Sequence, residues 1–378
     1  MPAGRYQQSC GCVEVSAAGV SSKAQGQGML STPKISVVMP AYNAAVYLDE
    51  AVTSILNQTF RDFEFIIIND GSTDDTVSIL DKYEKSDSRI RVYHQENQGM
   101  IAALTRGCRL ARGKYIARMD ADDASFPARL EKQLEYIERH PKIGILGTWT
   151  CIVKDGMAAG NWCPPTSSKV LKWDLFFGVC VAHPSVLMRR EVIECLSFYR
   201  PDALHAEDGD LWLRASSITE FGNVPEILLK YRVWDGSASQ LLSQSRRETH
   251  VRLLASFIKE FLNVDPTIEA VTGLRQMRIG PRLESLRQIR LTAALIQELH
   301  QNFMKHNDVN FQERREIAWD AAKKLASLAL QASRFDTRIF IFLLIKALKL
   351  DYRLLYPSAI MSGIERYFRL AYLKSDAQ

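Results

Sequence analysis

Tyr115-Ile-Ala-Arg-Met-Asp-Ala-Asp-Asp123 is an apolar run that ends in three carboxylates within four positions, Asp120, Asp122 and Asp123. Unpaired acids repel one another and each resists losing its water, so such a cluster must stay in solvent or be met by cations. The run itself reads as a buried strand. The three acids should lie at that strand's carboxyl end.

Working outward, the neighbouring segments alternate in type. Residues 35–39 form a short apolar run closed by Pro40, 47–58 read as a helix, 63–68 are apolar and end at Asn69-Asp70-Gly71, and 76–85 are helical again. The alternation continues through a strand at 90–94, a helix at 100–111, the strand at 115–119, a helix opened by Pro127 and reaching Arg139, and a strand at 143–153. Buried parallel strands separated by helices imply an α/β fold with an open, mostly parallel sheet. Ligands of such sheets bind outside the carboxyl ends of the strands. Pro40-Ala-Tyr-Asn43, Asn69-Asp70-Gly-Ser-Thr-Asp74 and Asp120-Ala-Asp-Asp123 each come directly after a strand, so the three turns are expected to line one edge and form one site.

The bulk properties agree with a globular protein. A chain of 378 residues, 47% hydrophobic, suits about two or three domains with a sizeable core. Its seven cysteines are odd in number and scattered, which argues against a disulfide framework and for a reducing, cytoplasmic setting. Cys10-Gly-Cys12 resembles a metal-binding pair but lies in a leader rich in Gly, Ser, Ala and Gln without further ligands. Residues 1–33 hold no apolar core of signal-peptide length and read as a flexible tail. The longest apolar run, 339–345, stops at Lys346, well short of the roughly 18 to 20 residues of a membrane span. Charge is uneven: residues 1–239 carry 26 basic against 29 acidic groups, −3, and residues 240–378 carry 22 against 14, +8. That asymmetry suggests an acidic partner for the C-terminal part, a phospholipid surface or a polyanion, with a solvated helical surface as the plainer reading.

No Gly-rich phosphate loop is present. Gly107 and Gly113 before Lys114 are spaced one residue too far apart, and no Gly-x-Gly-x-x-Gly occurs. Hard carboxylate oxygens at a strand end suit Mg²⁺ or Mn²⁺, which shares its remaining shell with phosphates and water. The cation missing from the acidic run is therefore expected to be a metal that arrives with a nucleotide diphosphate. The competing reading makes Asp122, Asp123 and Ser125 the cap of the helix behind Pro127, and leaves Asp120 unexplained.

Four motifs in order, Ile35-Ser-Val-Val-Met-Pro-Ala-Tyr-Asn43, Ile68-Asn-Asp-Gly-Ser-Thr-Asp74, Ala111 to Asp123, and Ala206-Glu-Asp-Gly-Asp-Leu-Trp-Leu-Arg214, resemble the family 2 glycosyltransferases with the GT-A fold. The resemblance spans residues 34–240, expected to be a catalytic domain, with a mainly helical region at 241–378. It implies an inverting transfer of a sugar from a nucleotide diphosphate sugar to a hydroxyl acceptor, in cell-surface polysaccharide or glycolipid synthesis. By the resemblance, Pro40, Tyr42 and Asn43 lie against the nucleobase and ribose, and Asp70 accepts a hydrogen bond from the base. Asp120 and Asp122 are the metal-binding Asp-x-Asp pair, Asp120 toward the ribose and Asp122 on the ion, with Asp123 as an extra ligand. Asp208 is the base that takes the acceptor's proton, worth roughly 10²–10⁴-fold; Glu207 binds the acceptor or shares that role. The plainer reading of this pair is a set of acids at a helix N-terminus.

The chain departs from the family in two places. Trp234 stands where related sequences carry a His after Tyr-Arg, and Thr105 stands where the family has Asn before Arg-x-Gly. His183 fits either an acceptor-side position or a packed strand. Trp162, Trp173, Phe176 and Phe177 fit a sugar platform or a core. Rival classes are a nucleotidyltransferase on a similar sheet and a non-catalytic sugar- or membrane-binding relative; a glycoside hydrolase would not need a metal-diphosphate site. Residues 338–353, with Lys346, Lys349 and Arg353 at helical spacing on one side and Phe342, Leu343 and Ile345 among the apolar residues elsewhere around the helix, are expected to lie on a membrane surface or to pack on the catalytic domain.

Overall fold

Strand β1, Ile35–Ala41, is buried along almost its whole length, as a run of Ile, Val and Met covered on both faces requires. The computed structural model describes residues 32–234, 243–279 and 282–355. The expected tail, with Cys10 and Cys12, lies outside the described residues except for its last two positions. Strands β2 (Phe63–Asp70), β3 (Ile90–Gln95) and β4 (Tyr115–Arg118) join β1 in parallel, in the order β3-β2-β1-β4. Helices α1 (Ala45–Leu56), α2 (Thr76–Ser86) and α3 (Met100–Leu110) connect them.

Side chains alternate between two cores, as the two-residue period of a strand dictates. Ile35, Val37 and Met39 of β1, with Phe65 and Ile67 of β2, meet Leu48, Val52 and Ile55 of α1 and Leu130 and Leu134 of α4 (Arg129–Arg139). Val38, Ile66 and Ile68 face the other way, onto Ala103 and Leu104 of α3 and Leu211 and Trp212 of α7 (Glu207–Ala215).

Beyond β4 the sheet is mixed. β8 (Leu187–Arg189) runs antiparallel between β4 and β6 (Ile143–Lys154), β9 (Glu220–Val233) runs parallel to β6, and the two-residue β5 (Ala124–Ser125) pairs antiparallel with β9 at the far edge. β7 (Met157–Trp162) makes a hairpin with β6. Residues 119–123 therefore link strands that are far apart in the sheet order, and the acidic turn passes across the strand ends. The segment before β8 holds helix α5 (Ser168–Asp174), and α6 (Arg190–Cys195) comes directly after that strand.

The helices α8 (Ser243–Leu262), α9 (Ile268–Ile279), α10 (Leu286–His306), α11 (Phe311–Ala332) and α12 (Thr337–Leu350) do not form a core of their own. They bury Trp173, Phe176 and Phe177 from the preceding region together with Ile258, Leu274, Phe303 and Leu325. The Trp173 ring sits 5.7 Å from Phe303, edge to face, and its Nε1 donates to Asp320 at 2.7 Å. Trp173, Phe176 and Phe177 are thus core residues and no sugar platform; Trp162 is half-buried on β7. Among the described residues no helix is long and apolar enough to cross a membrane.

Candidate active site

Pro40 cannot donate to a neighbouring strand, and β1 gives way just beyond it to a tight turn. Asn43 takes a left-handed backbone (φ 47°), which Asn tolerates, and its Oδ1 accepts from the Thr73 backbone N–H at 2.8 Å. The Asn43 N–H donates to Ser72 Oγ at 3.0 Å, and the Ala44 N–H to Thr76 Oγ1 at 2.9 Å. The first two turns are therefore stitched into one wall. Tyr42, 52% exposed, stands free on it with its ring open to a stacking partner.

Asp70 sits deeper than the sequence suggests. It is 3% exposed, and its carboxylate accepts from Gln95 Nε2 (2.7 Å) and from the Gln98 and Gly99 backbone N–H groups (2.9 and 2.8 Å). Arg106 in turn donates to Gln95 Oε1 at 2.9 Å. This network holds the 95–99 loop beside Gly71, whose left-handed φ of 76° and close approach to Asn97 admit no side chain.

The acidic turn is met by cations of the chain itself. Arg118, buried at the end of β4, grips both oxygens of Asp120 in a fork. The Arg232 backbone N–H donates to Asp123 Oδ1 at 2.8 Å, and its Nε to the Asp122 carbonyl at 2.8 Å, so the end of β9 clasps the turn. Trp234 Nε1 donates to Asp122 Oδ2 at 2.9 Å, which gives the Trp in place of His a role as a hydrogen-bond donor on the same carboxylate. Arg129, fully buried behind the turn, donates to the Arg118 carbonyl (2.7 Å) and Ser125 Oγ (2.9 Å). The competing reading of a helix cap is not met: α4 begins after Ala128 with no side-chain cap bond.

Negative charge remains after these contacts. Oxygens of Asp120, Asp122 and Asp123 lie within 4.8 Å of one another. Asp123 is 2% exposed, and its Oδ2 is buried without a hydrogen-bond partner. Burial, with Asp120 and Asp122 beside it, pushes the Asp123 carboxyl well above the usual range. Burial also pushes Asp120 up to about 6, with Asp122 and Asp208 adding to it against the pull of Arg118. A hard divalent cation fits this donor set: an orphaned carboxylate oxygen and a second acid beside it, with Asp120 already neutralised by Arg118. Asp120, Asp122 and Asp123 together form a group that could hold a metal ion.

The second acidic pair opens α7. Asp208 is buried, its Oδ1 accepts from the Gly209 N–H at 2.7 Å, and Arg246 Nη2 of α8 lies 3.7 Å from its Oδ2. Burial raises its carboxyl, but the charge of Arg246 first, then that of His250, outweighs this and holds it down to about 2. Glu207 goes the opposite way, up to about 7, through burial and the charge of Asp208. His183 is buried in a 3₁₀ turn, not a strand, with Nε2 2.9 Å from Tyr199 Oη; burial and the nearby Arg118 keep its imidazole neutral.

Arg118, Arg129, Arg232, Arg246 and His250 were not singled out in the sequence. Arg118 lies inside the quoted run, where an arginine in a buried strand immediately before three acids is itself a signal. Arg246 and His250 share a face of α8 at i, i+4, but nothing local ties that helix to residue 208.

The Glycosyl transferase family 2 profile matches residues 36–197. A glycosyltransferase of Haemophilus influenzae is 33% identical over 62% of this chain and 76% of its own length. The O-antigen biosynthesis glycosyltransferase WbnJ of Escherichia coli is 34% identical over 54% of this chain and 82% of its own. In structure, residues 1–349 of S. aureus TarS, solved in complex with UDP-GlcNAc, give a TM-score of 0.53 over 85% of this chain and 91% of that one, at 17% identity. An α/β sheet with its acids gathered at the strand ends, and a relative matched over three quarters of its length, lead to one assignment: the chain belongs to glycosyltransferase family 2, an enzyme family, on a GT-A fold.

Proposed function

We propose that the protein transfers a sugar from a nucleotide diphosphate sugar to a hydroxyl of a saccharide or lipid-linked acceptor, with inversion at the anomeric carbon, during the assembly of a cell-surface glycan. One observation carries the reading: Asp120, Asp122 and Asp123 crowd one strand end with a buried Asp123 oxygen left unpartnered, a place for a metal-bound diphosphate, while a second acidic pair, Glu207 and Asp208, opens α7. One acidic group is then available for the donor and another for the acceptor.

Pro40, Tyr42 and Asn43 form the wall for the nucleoside, with Tyr42 stacking and Asp70 acting through the loop it holds. Asp120, fixed by Arg118, faces the ribose side. Asp122 and Asp123 would hold Mg²⁺ or Mn²⁺, which when bound supplies Lewis-acid stabilisation of charge on the departing diphosphate. The acceptor oxygen attacks the anomeric carbon as the bond from that carbon to the diphosphate oxygen breaks. The acceptor's proton passes to a carboxylate oxygen of Asp208, with Glu207 beside it to orient the hydroxyl. Asp208, kept ionised by Arg246, is ready to receive that proton at neutral pH.

The C-terminal helical region, basic by charge count, is the part suited to meet a membrane that carries a lipid-linked acceptor. The decisive assay is a panel of nucleotide sugars with mass spectrometry of products. Release of a nucleoside diphosphate and a mass gain of one sugar on the acceptor supports the reading. Release of pyrophosphate from a nucleoside triphosphate instead would establish nucleotidyl transfer.

A further inference from the structure

Helix α12 buries one face and leaves a second apolar face in solvent. Leu343 and Ala347 pack into the helical core, whereas Ile341, Phe342 and Ile345 are 48%, 53% and 49% exposed. At 100° per residue these three fall on one side of the helix, with Arg338 and Lys349 on the same side at its two ends. A soluble helix turns charge outward and apolar groups inward, so large side chains on the outward side call for an occupant.

The surrounding charge says what kind. Residues 334–353 hold five basic groups, Arg334, Arg338, Lys346, Lys349 and Arg353, and two acids, Asp336 and Asp351. Both acids are engaged at the helix ends: Asp336 accepts from the Arg338 N–H at 2.8 Å, and Asp351 binds Arg353. Lys346 holds its ammonium 5.5 Å from the centre of the Phe342 ring, at the margin of the apolar patch. Arg353, expected from the sequence beside Lys346 and Lys349, is turned away to Asp351 and to the Arg315 carbonyl, and Leu343 is core.

We propose that the outward face of α12 docks on an anionic lipid bilayer, inserting Ile341, Phe342 and Ile345 at the acyl boundary while Arg338, Lys346 and Lys349 meet lipid phosphates. The helix lies in the interface and does not cross it. The purpose of this docking rests on the proposed lipid-linked acceptor; the binding itself does not. Apolar insertion and cationic contact are separable, because only the second is screened by salt.

The test is sedimentation of the full chain with phosphatidylcholine vesicles containing rising fractions of phosphatidylserine, without donor or acceptor. Binding should grow with the anionic fraction and weaken with salt. Lys346→Glu with Lys349→Glu should weaken it by on the order of tenfold or more. Phe342→Ser with Ile345→Ser should weaken it at every salt concentration. Phe342→Trp should gain emission that brominated lipids quench, a readout that does not depend on the fold surviving the double substitutions. Protein left in the supernatant at low salt, or binding that both pairs of substitutions leave intact, overturns the proposal. So does a dimer in solution that Phe342→Ser dissociates, which assigns the face to a second copy. Transfer to a soluble acceptor, measured in parallel without vesicles, reports on the catalytic reading alone.

Discussion

Asp123 is the residue where stability and activity pull apart. Its buried, unpartnered oxygen beside two other acids costs folding energy, and the same oxygen is what an ion would take. Asp123→Asn should therefore stabilise the metal-free protein by about 1 kcal/mol, read as a higher Tm, while abolishing the further rise in Tm that Mn²⁺ with a nucleoside diphosphate gives the parent. An unchanged response to the ion would remove Asp123 from the donor set. Glu207 and Asp208 give opposite linkages to pH. The Glu207 carboxyl is raised from 4.5 to about 7, so the folded state holds its proton more tightly and this contribution is lost as pH rises from about 4.5 to about 7. Asp208 is lowered to about 2, so its contribution is present above 3.8 and lost as pH falls toward 2. Glu207→Gln should remove about 1 to 3 kcal/mol of the fall in stability between pH 4.5 and 7, seen as a flatter plot of Tm against pH. The rate profile separates the pair as well. A rising limb of kcat/KM near pH 7 marks Glu207 as the proton acceptor, and a limb below pH 4 marks Asp208. The acids themselves were legible from residue types and spacing. Their arginine partners were not, because pairing across the sheet leaves no local pattern.

Elements carry these residues into contact, and α8 does so at closest quarters. A Cβ built on Gly209 would lie 2.5 Å from His250 Cε1, so a side chain in this first turn of α7 requires the His250 ring to shift. Gly209→Ala should cost about 1–3 kcal/mol through overpacking and lower turnover by displacing Asp208. Adding His250→Ala should recover most of the stability, and a double-mutant cycle by chemical denaturation measures that coupling. Additive losses would show that the ring can move aside. The sequence revealed α1 to α4 and β1 to β4 with ends within about two residues, because each has a clear period and a turn signal behind it. It did not reveal β5, β7, β8 or β9. Two or three residues, as in β5 and β8, are too few to show alternation, and the pairing of β9 with β6 is a long-range choice.

At the scale of the whole molecule, the aromatic cluster of Trp173, Phe176, Phe177 and Phe303 joins the expected catalytic domain to the helices behind it. The described residues from Pro33 on accordingly belong to one compact unit. A chain cut at residue 240 would expose those rings and lose Arg246, so it should be recovered as aggregate or as a species without a cooperative melt. A soluble, two-state fragment 33–240 would restore the division expected from the sequence. That division followed the motifs, which stop at the sheet, whereas the core does not.

The clasp of Arg232 on the acidic turn has a consequence for how the protein is made. A growing chain that has emerged only as far as β5 already holds the apolar strands that define the parallel half, and these can collapse from contacts close in sequence. Its three aspartates at that moment have Arg118 and little else, since the amide that binds Asp123 is synthesised 109 positions later. Arg246, which steadies Asp208, emerges later still. On the ribosome the parallel strands therefore precede the site, and a nascent chain can pair them while still unable to hold its donor.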